Sequence, residues 1–164
     1  MTAIAHRTID LTSDRAGRTL HLVDLENLSG GPSRPADEHA RSWRAYEDAA
    51  RIAEGDQVVV AASGRTMRDA VWFLPTGIAC HSANGADGAD RVLLAVGDAA
   101  WIASRFDRLV IGSGDHAFAE LADAVQALGV EVEVVVGAGW CSSRYRRSGH
   151  TVRRLGRDDL ALAV

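Results

Sequence analysis

Three aspartates each fall where a strand-like run gives way to a loop or helix. They lie in Leu22-Val23-Asp24-Leu25-Glu26-Asn27, in Gly88-Ala89-Asp90-Arg91-Val92-Leu93-Leu94, and in Val110-Ile111-Gly112-Ser113-Gly114-Asp115. In a parallel α/β sheet, ligands bind outside the carboxyl ends of the strands. Carboxylates brought together there repel one another unless a cation joins them, and hard oxygen donors suit Mg²⁺ or Mn²⁺. The chemistry to expect is metal-assisted attack on a phosphate ester.

Each acid also has a structural reading. Asp115 precedes an expected helix, where aspartate is a favoured N-cap worth about 1 kcal/mol. Against that, Gly112 and Gly114 flank Ser113 and would let the backbone approach a ligand closely. Ser113 could donate to a phosphate or a metal-bound water, or only shape the turn. Asp24 could belong to an acidic turn, yet period-two alternation sends Asp24 and Glu26 to one side, with Asn27 beyond them. An amide there can orient a phosphate without adding negative charge. Asp90, early in a helix, is favoured by the macrodipole in any case, and Asp87 could share its face. Asp98 lies inside the apolar stretch Ala95 to Ala100. Burying a carboxylate there requires an acidic cleft with its metal or an arginine partner. His116 is weighed as a metal ligand against a solvated first-turn histidine; His81 and Cys80 lack partners at zinc spacing and are read as structural.

These residues need a scaffold. Thr19 to Val23 reads as a strand, and Gly30, Gly31, Pro32 and Pro35 mark a loop. Ala36 to Glu54 has helical periodicity. Gln57 to Ala62 is a buried strand, Thr66 to Leu74 a helix, and Ile78 to His81 a short strand. One helix is expected over Gly88 to Ser104, a strand over Arg108 to Ile111, and a helix over His116 to Leu128 closed by Gly129. Val130 to Val136 is the clearest strand, and an edge strand is expected near Thr151-Val152. Strands alternating with helices imply a mainly parallel sheet with right-handed crossovers.

The chain has 164 residues, enough for one domain with a real core. All 18 basic residues are arginine, which excludes Schiff-base lysines and a Walker-type phosphate lysine. The net charge of −4 argues against a protein that coats nucleic acid through bulk positive charge. Arginines are nevertheless concentrated late in the chain, at Arg144, Arg146, Arg147, Arg153, Arg154 and Arg157, with Trp140 and Tyr145 among them as candidates for base stacking. A solvated basic face is the plainer reading. Trp43, Trp72, Phe73, Trp101 and Phe118 read as core. Two cysteines make neither a metal quartet nor a disulfide framework. With no apolar leader and no run near the roughly 20 residues needed to span a bilayer, the expected compartment is the cytoplasm. A flexible lead-in is expected over 1–18, the domain over 19–157 and a tail over 158–164.

The motifs Asp24-Leu25-Glu26-Asn27, Gly88-Ala89-Asp90 and Gly112-Ser113-Gly114-Asp115, the last extending to Phe118, resemble the NYN domain, a branch of the PIN-like metal-dependent ribonucleases. The likeness in order and spacing runs from about Thr19 to Leu155. It implies a three-layer α/β/α sandwich around a central parallel sheet and a ribonuclease that uses Mg²⁺ or Mn²⁺. By residue, it implies metal-binding acids at Asp24, Asp90 and Asp115, with Asp98 as a further acid and Asn27 as an auxiliary. Two positions depart from the pattern. Ala117 stands where many members carry a second aspartate, and Asp87 where a lysine often precedes the glycine.

The resulting expectation is hydrolysis of RNA phosphodiesters, with Asn27 and Ser113 positioning phosphate or water. Arg65, Arg68, Arg144, Arg146 and Arg147 would hold the flanking backbone. One rival is a PIN-like domain that binds RNA or a protein without cutting it. Another is a phosphohydrolase of the haloacid dehalogenase kind, which normally starts with Asp-x-Asp where this chain has Asp24-Leu25-Glu26. No membrane partner is expected, and a homodimer is compatible with the sequence.

Overall fold

The computed structural model describes residues 17–156. Most of the expected lead-in, the expected tail and Arg157 lie outside the described residues. Six strands form one sheet: β1 (Thr19–Asp24), β2 (Gln57–Ala62), β3 (Ala79–Ser82), β4 (Arg108–Gly112), β5 (Glu131–Val136) and β6 (Thr151–Arg154). Their order is β3-β2-β1-β4-β5-β6 and every neighbouring pair is parallel. Strand order therefore reverses between β1 and β4, where an open α/β sheet presents its ligand crevice.

The strand sequences dictate which layer each residue joins, because successive side chains point to opposite faces. Leu20 and Leu22, Val59 and Ala61, Leu109 and Ile111, and Val132, Val134 and Val136 enter one core. That core is covered by α4 (Gly88–Leu94), α5 (Ala99–Ala103) and α6 (Ala119–Ala127), through Leu93, Ile102, Ala122 and Val125. The alternate residues Val23, Val58, Val60, Val110 and Val135 enter the other. There the cover is α1 (Leu25–Ser29), α2 (Ala36–Ala50) and α3 (Gly64–Ala70), with Trp43, Tyr46 and Met67 as its largest contributors. The result is an α/β/α sandwich. Full burial of a leucine such as Leu22 stabilises it by about 1.5–3 kcal/mol. A short helix, α7 (Ser143–Arg147), leads into β6.

Three local details depart from the sequence expectation. A five-residue helix, α1, follows β1 directly, started by Asp24 as N-cap and stopped by Gly30 at φ 91°. The helix from Ala36 ends at Ala50 instead of Glu54, since Arg51 turns into the left-handed region at φ 57°. The segment expected as one helix over Gly88 to Ser104 is two. Gly97 lies under the Trp101 ring, where a Cβ would meet Cε3 at 2.2 Å, and Asp98 restarts the helix by accepting the Trp101 N–H at 2.7 Å.

Candidate functional site

A cleft of about 370 Å³ opens at the carboxyl end of the sheet beside the β1/β4 reversal. Asp24, Glu26, Asn27, Asp87, Asp90 and Asp115 all line it. The three aspartates from separate segments are thus neighbours in space. Asp24 arrives at the last residue of β1 and Asp115 just after β4, while Asp90 projects from the first turn of α4, whose N-terminus follows β3.

Each acid is held differently. Asp24 accepts the Glu26 and Asn27 N–H groups through one oxygen, both at 3.0 Å. Burial nevertheless pushes its carboxyl up to about 6, and the nearby charges of Asp90 and Glu26 add to the rise. Asp90 is 8 % exposed, and its Oδ1 is buried without a hydrogen-bond partner. Its carboxyl is raised by burial first, then by the charges of Asp115 and Asp87. Asp115 caps the 3-10 turn His116–Phe118 by accepting the Ala117 N–H at 2.9 Å, and it pairs with His116 Nδ1 at 2.9 Å. His116 is otherwise turned to solvent.

Glu26 is the acid the motif reading left out of the site. It is anchored by Ser63, whose N–H and hydroxyl both donate to Oε1, and by the Thr66 hydroxyl. Held by three donors, Glu26 presents a fixed carboxyl group to the cleft and is not free to swing. The signal for it was its two-residue offset from Asp24. Nothing local pointed to Ser63 and Thr66, which are 37 and 40 residues away. Asp87 also reaches the cleft, at a left-handed φ of 54°.

Three expectations are corrected here, and a fourth residue, Asn27, gains a structural role. Ser113 is fully buried and accepts the Asp115 N–H at 3.2 Å, so it shapes the turn and does not line the cleft. Asn27 lines the cleft, and its side-chain carbonyl oxygen also accepts the Gly114 N–H at 2.9 Å, which clamps the β4 loop against α1. Gly114 is small for a protein neighbour, not a ligand, because a Cβ there would lie 1.9 Å from the Trp140 carbonyl oxygen. Asp98 is an exposed cap of α5 and does not line the cleft, since the break at Gly97 turns it out of the apolar stripe.

The segment after β5 closes one wall. Ala138 donates to the Leu28 carbonyl at 2.8 Å and Ser142 to the Gly114 carbonyl at 2.9 Å. The buried Tyr145 hydroxyl donates to the Asp115 carbonyl. Trp140 stands on this wall, 67 % exposed, and lines the cleft.

The arginine-rich segment divides. Arg144 pairs with Glu120 and Asp123, both at 3.6 Å, Arg153 with Glu133 at 2.7 Å, and Arg154 donates to the Gly137 and Gly139 carbonyls. These three have partners within the chain. Arg146 and Arg147 are exposed on α7, and Arg65 and Arg68 are exposed on α3. None of these arginines lines the acid cleft. Of the expected core aromatics, Trp43 and Phe118 are buried while Trp72 is 86 % exposed. Cys80 and His81, read as structural, are exposed on the edge strand β3.

Among the described residues, no group of three or more His, Cys, Asp or Glu side chains stands together as a ready-made metal cage. The donor set still suits a hard cation of the magnesium type, which keeps several waters and takes only one or two protein carboxylates. The orphaned, buried Oδ1 of Asp90 is the oxygen such a cation would satisfy. Also among the described residues, no helix is long and apolar enough to cross a membrane. Comparison with known proteins found no matching family model and no match among curated proteins.

Proposed function

We propose that this chain is a metal-dependent ribonuclease of the NYN type, working through the Asp24, Asp90 and Asp115 cleft. The observation that carries the reading is Asp90: a buried carboxylate with an unsatisfied oxygen, next to Asp24 and Asp115 at the strand-order reversal. Isolated buried carboxylate charge is costly, so a fold that keeps it has a use for a cation.

Asp90 and the second oxygen of Asp24 would hold Mg²⁺ or Mn²⁺, with Asp115 on the acidic side of the site. When bound, the metal supplies a water of lowered pKa and neutralises charge on the phosphate. Asn27 keeps the Gly114–Asp115 turn seated, which orients the Asp115 carboxylate. Glu26, locked by Ser63 and Thr66, forms a fixed acidic wall on its own side of the cleft. Hydrolysis leaves a 5′-phosphate and a 3′-hydroxyl. Arg146 and Arg147 are the basic residues of α7 left to meet a phosphate backbone, because Arg144 is engaged by Glu120 and Asp123.

A second reading, a PIN-like domain that binds without cutting, draws support from the lack of a three-acid cage among the described residues and from Ala117. One assay separates the two. End-labelled single-stranded and structured RNA is incubated with the protein in Mn²⁺, Mg²⁺ or EDTA, beside Asp24→Asn and Asp115→Asn. The nuclease gives metal-dependent products, reduced by at least about 100-fold in either variant. RNA retained in EDTA but never cleaved would move the assignment to the binding domain.

A further inference from the structure

The acid cleft does not end at its own rim. Its lining includes Ser63 and Ala83, while a second groove is lined by Gly64 and Ser82, the adjoining residue in each case. The two hollows meet across a seam stitched by the Ala83 N–H to the Ala62 carbonyl at 3.0 Å and the Gly64 N–H to Asn84 Oδ1 at 3.2 Å. The track therefore runs from the carboxylates over the ends of β2 and β3 and onto α3.

At the far end stand Arg65, Arg68 and Trp72. Positions i, i+3 and i+7 put them on one side of α3 and its trailing turn. Trp72 is 86 % exposed and Val71 beside it is 56 % exposed, so an open apolar face adjoins the two arginines. Asp69 is the one acidic group in that groove's lining, so the two arginines leave it positive. A groove that is negative at the sheet end and positive with an open indole at the other suits an anionic strand held at one point by a cation and at another by arginine. An exposed indole flanked by guanidinium groups is a stacking platform for an unpaired base.

We infer that Trp72, with Arg65 and Arg68, forms a base-stacking subsite for a single-stranded stretch of RNA whose backbone continues into the acid cleft. The inference rests on the reading of that cleft as an RNA site and adds the feature that selects strandedness. In a duplex the bases are stacked on one another and offer no face to Trp72, so the subsite favours single strands.

The test is anisotropy of a fluorescein-labelled single-stranded RNA of about twelve nucleotides and of a duplex of the same length, both in EDTA. Trp72→Ala should weaken single-strand binding by about tenfold and leave duplex binding unchanged. Trp72→Phe should recover most of the loss. Arg65→Gln and Arg68→Gln should each lower the salt dependence of binding as one phosphate contact is lost. Single-strand binding by Trp72→Ala as tight as the parent's would overturn the subsite, as would an equal loss on the duplex. Metal-dependent cleavage unaffected by the Trp72 result would leave the nuclease reading standing by itself. Trp72-dependent binding without cleavage would leave the subsite standing and remove the nuclease. A parent protein that neither binds nor cleaves RNA would sink both.

Discussion

The two ends of this sheet treat buried carboxylates in opposite ways. In the interior of the α2-covered face, Glu133 is 3 % exposed and both its oxygens are engaged, one by Arg153 and one by Arg108. Burial alone would raise its carboxyl, but the hydrogen bonds and charges of those two arginines hold it below the usual glutamate range. Asp56 is also well supplied with partners, accepting from the Thr19 and Ala53 N–H groups at 2.9 and 2.8 Å and facing His21 Nε2 at 3.3 Å. His21 in turn meets the Tyr46 hydroxyl at 3.0 Å, and burial keeps its imidazole below its ordinary value, so it sits neutral. At the carboxyl end, Asp90 is buried with one oxygen unpartnered and Asp24 is raised to about 6. Comparable burial thus gives opposite shifts, and the difference is the supply of partners. A network satisfied at every oxygen serves the fold. A cluster that keeps one buried oxygen, Asp90 Oδ1, short of a partner marks a place built for something the chain does not itself supply.

The contrast can be broken by experiment, beginning with the satisfied end. Glu133→Ala leaves half-buried Arg108 with only its longer contact to Glu131 at 3.9 Å, and removal of the buried member of such a pair costs about 3 kcal/mol. A thermal melt at neutral pH should show the largest loss of Tm of any single change discussed here; an unchanged Tm would mean that Glu133 and Asp90 are not different in kind.

Asp24→Asn should act in the other direction. The amide can still cap α1, and the variant lacks the charge that folding penalises. A carboxyl whose folded value is raised binds its proton more tightly in the folded state, so parent stability declines as pH rises from the ordinary 3.8 toward about 6. Melts in EDTA should therefore coincide for parent and variant below about pH 4, and the variant should gain up to about 3 kcal/mol by pH 7. A variant less stable than the parent at pH 7 would remove the charge-strain account of the cleft.

Asp98→Ala gives the smallest effect and the sharpest check on which acids belong together. Loss of an exposed N-cap costs about 1 kcal/mol. Stabilisation by added Mn²⁺ should be the same in this variant as in the parent; a diminished metal response would return Asp98 to the site.

Much of the architecture was legible from the residues. Gln57–Ala62 and Glu131–Val136 read as strands because continuous apolar runs flanked by turn residues are what a sheet covered on both faces requires. Asp24, Asp90 and Asp115 could be grouped because parallel topology brings strand ends to one edge wherever they lie in the chain. The helix α1 was missed because five residues are too few to show a period, although its Asp24 cap and Gly30 stop were both present. Asp98 was placed among the metal acids by the family resemblance, and the apolar stretch around it hid a break that Gly97 and Trp101 packing creates. Trp72 was assigned to the core on residue type, and residue type does not say which side of a turn faces solvent.

What the sequence by itself determined is the alternation of strands and helices, the layer each strand residue enters, and the identity of the acids at the strand ends. These follow from side-chain period and turn chemistry, which act over a few residues. Only the tertiary structure decided which polar atoms are satisfied. Ser113 is consumed by its own turn, Asn27 by Gly114 across 87 residues, Arg144 by α6, and Glu26 by Ser63 and Thr66, while Asp90 keeps a bare oxygen. Hydrogen bonds act over about 3 Å, so their partners are settled by which distant segments the packed sheet brings within that reach.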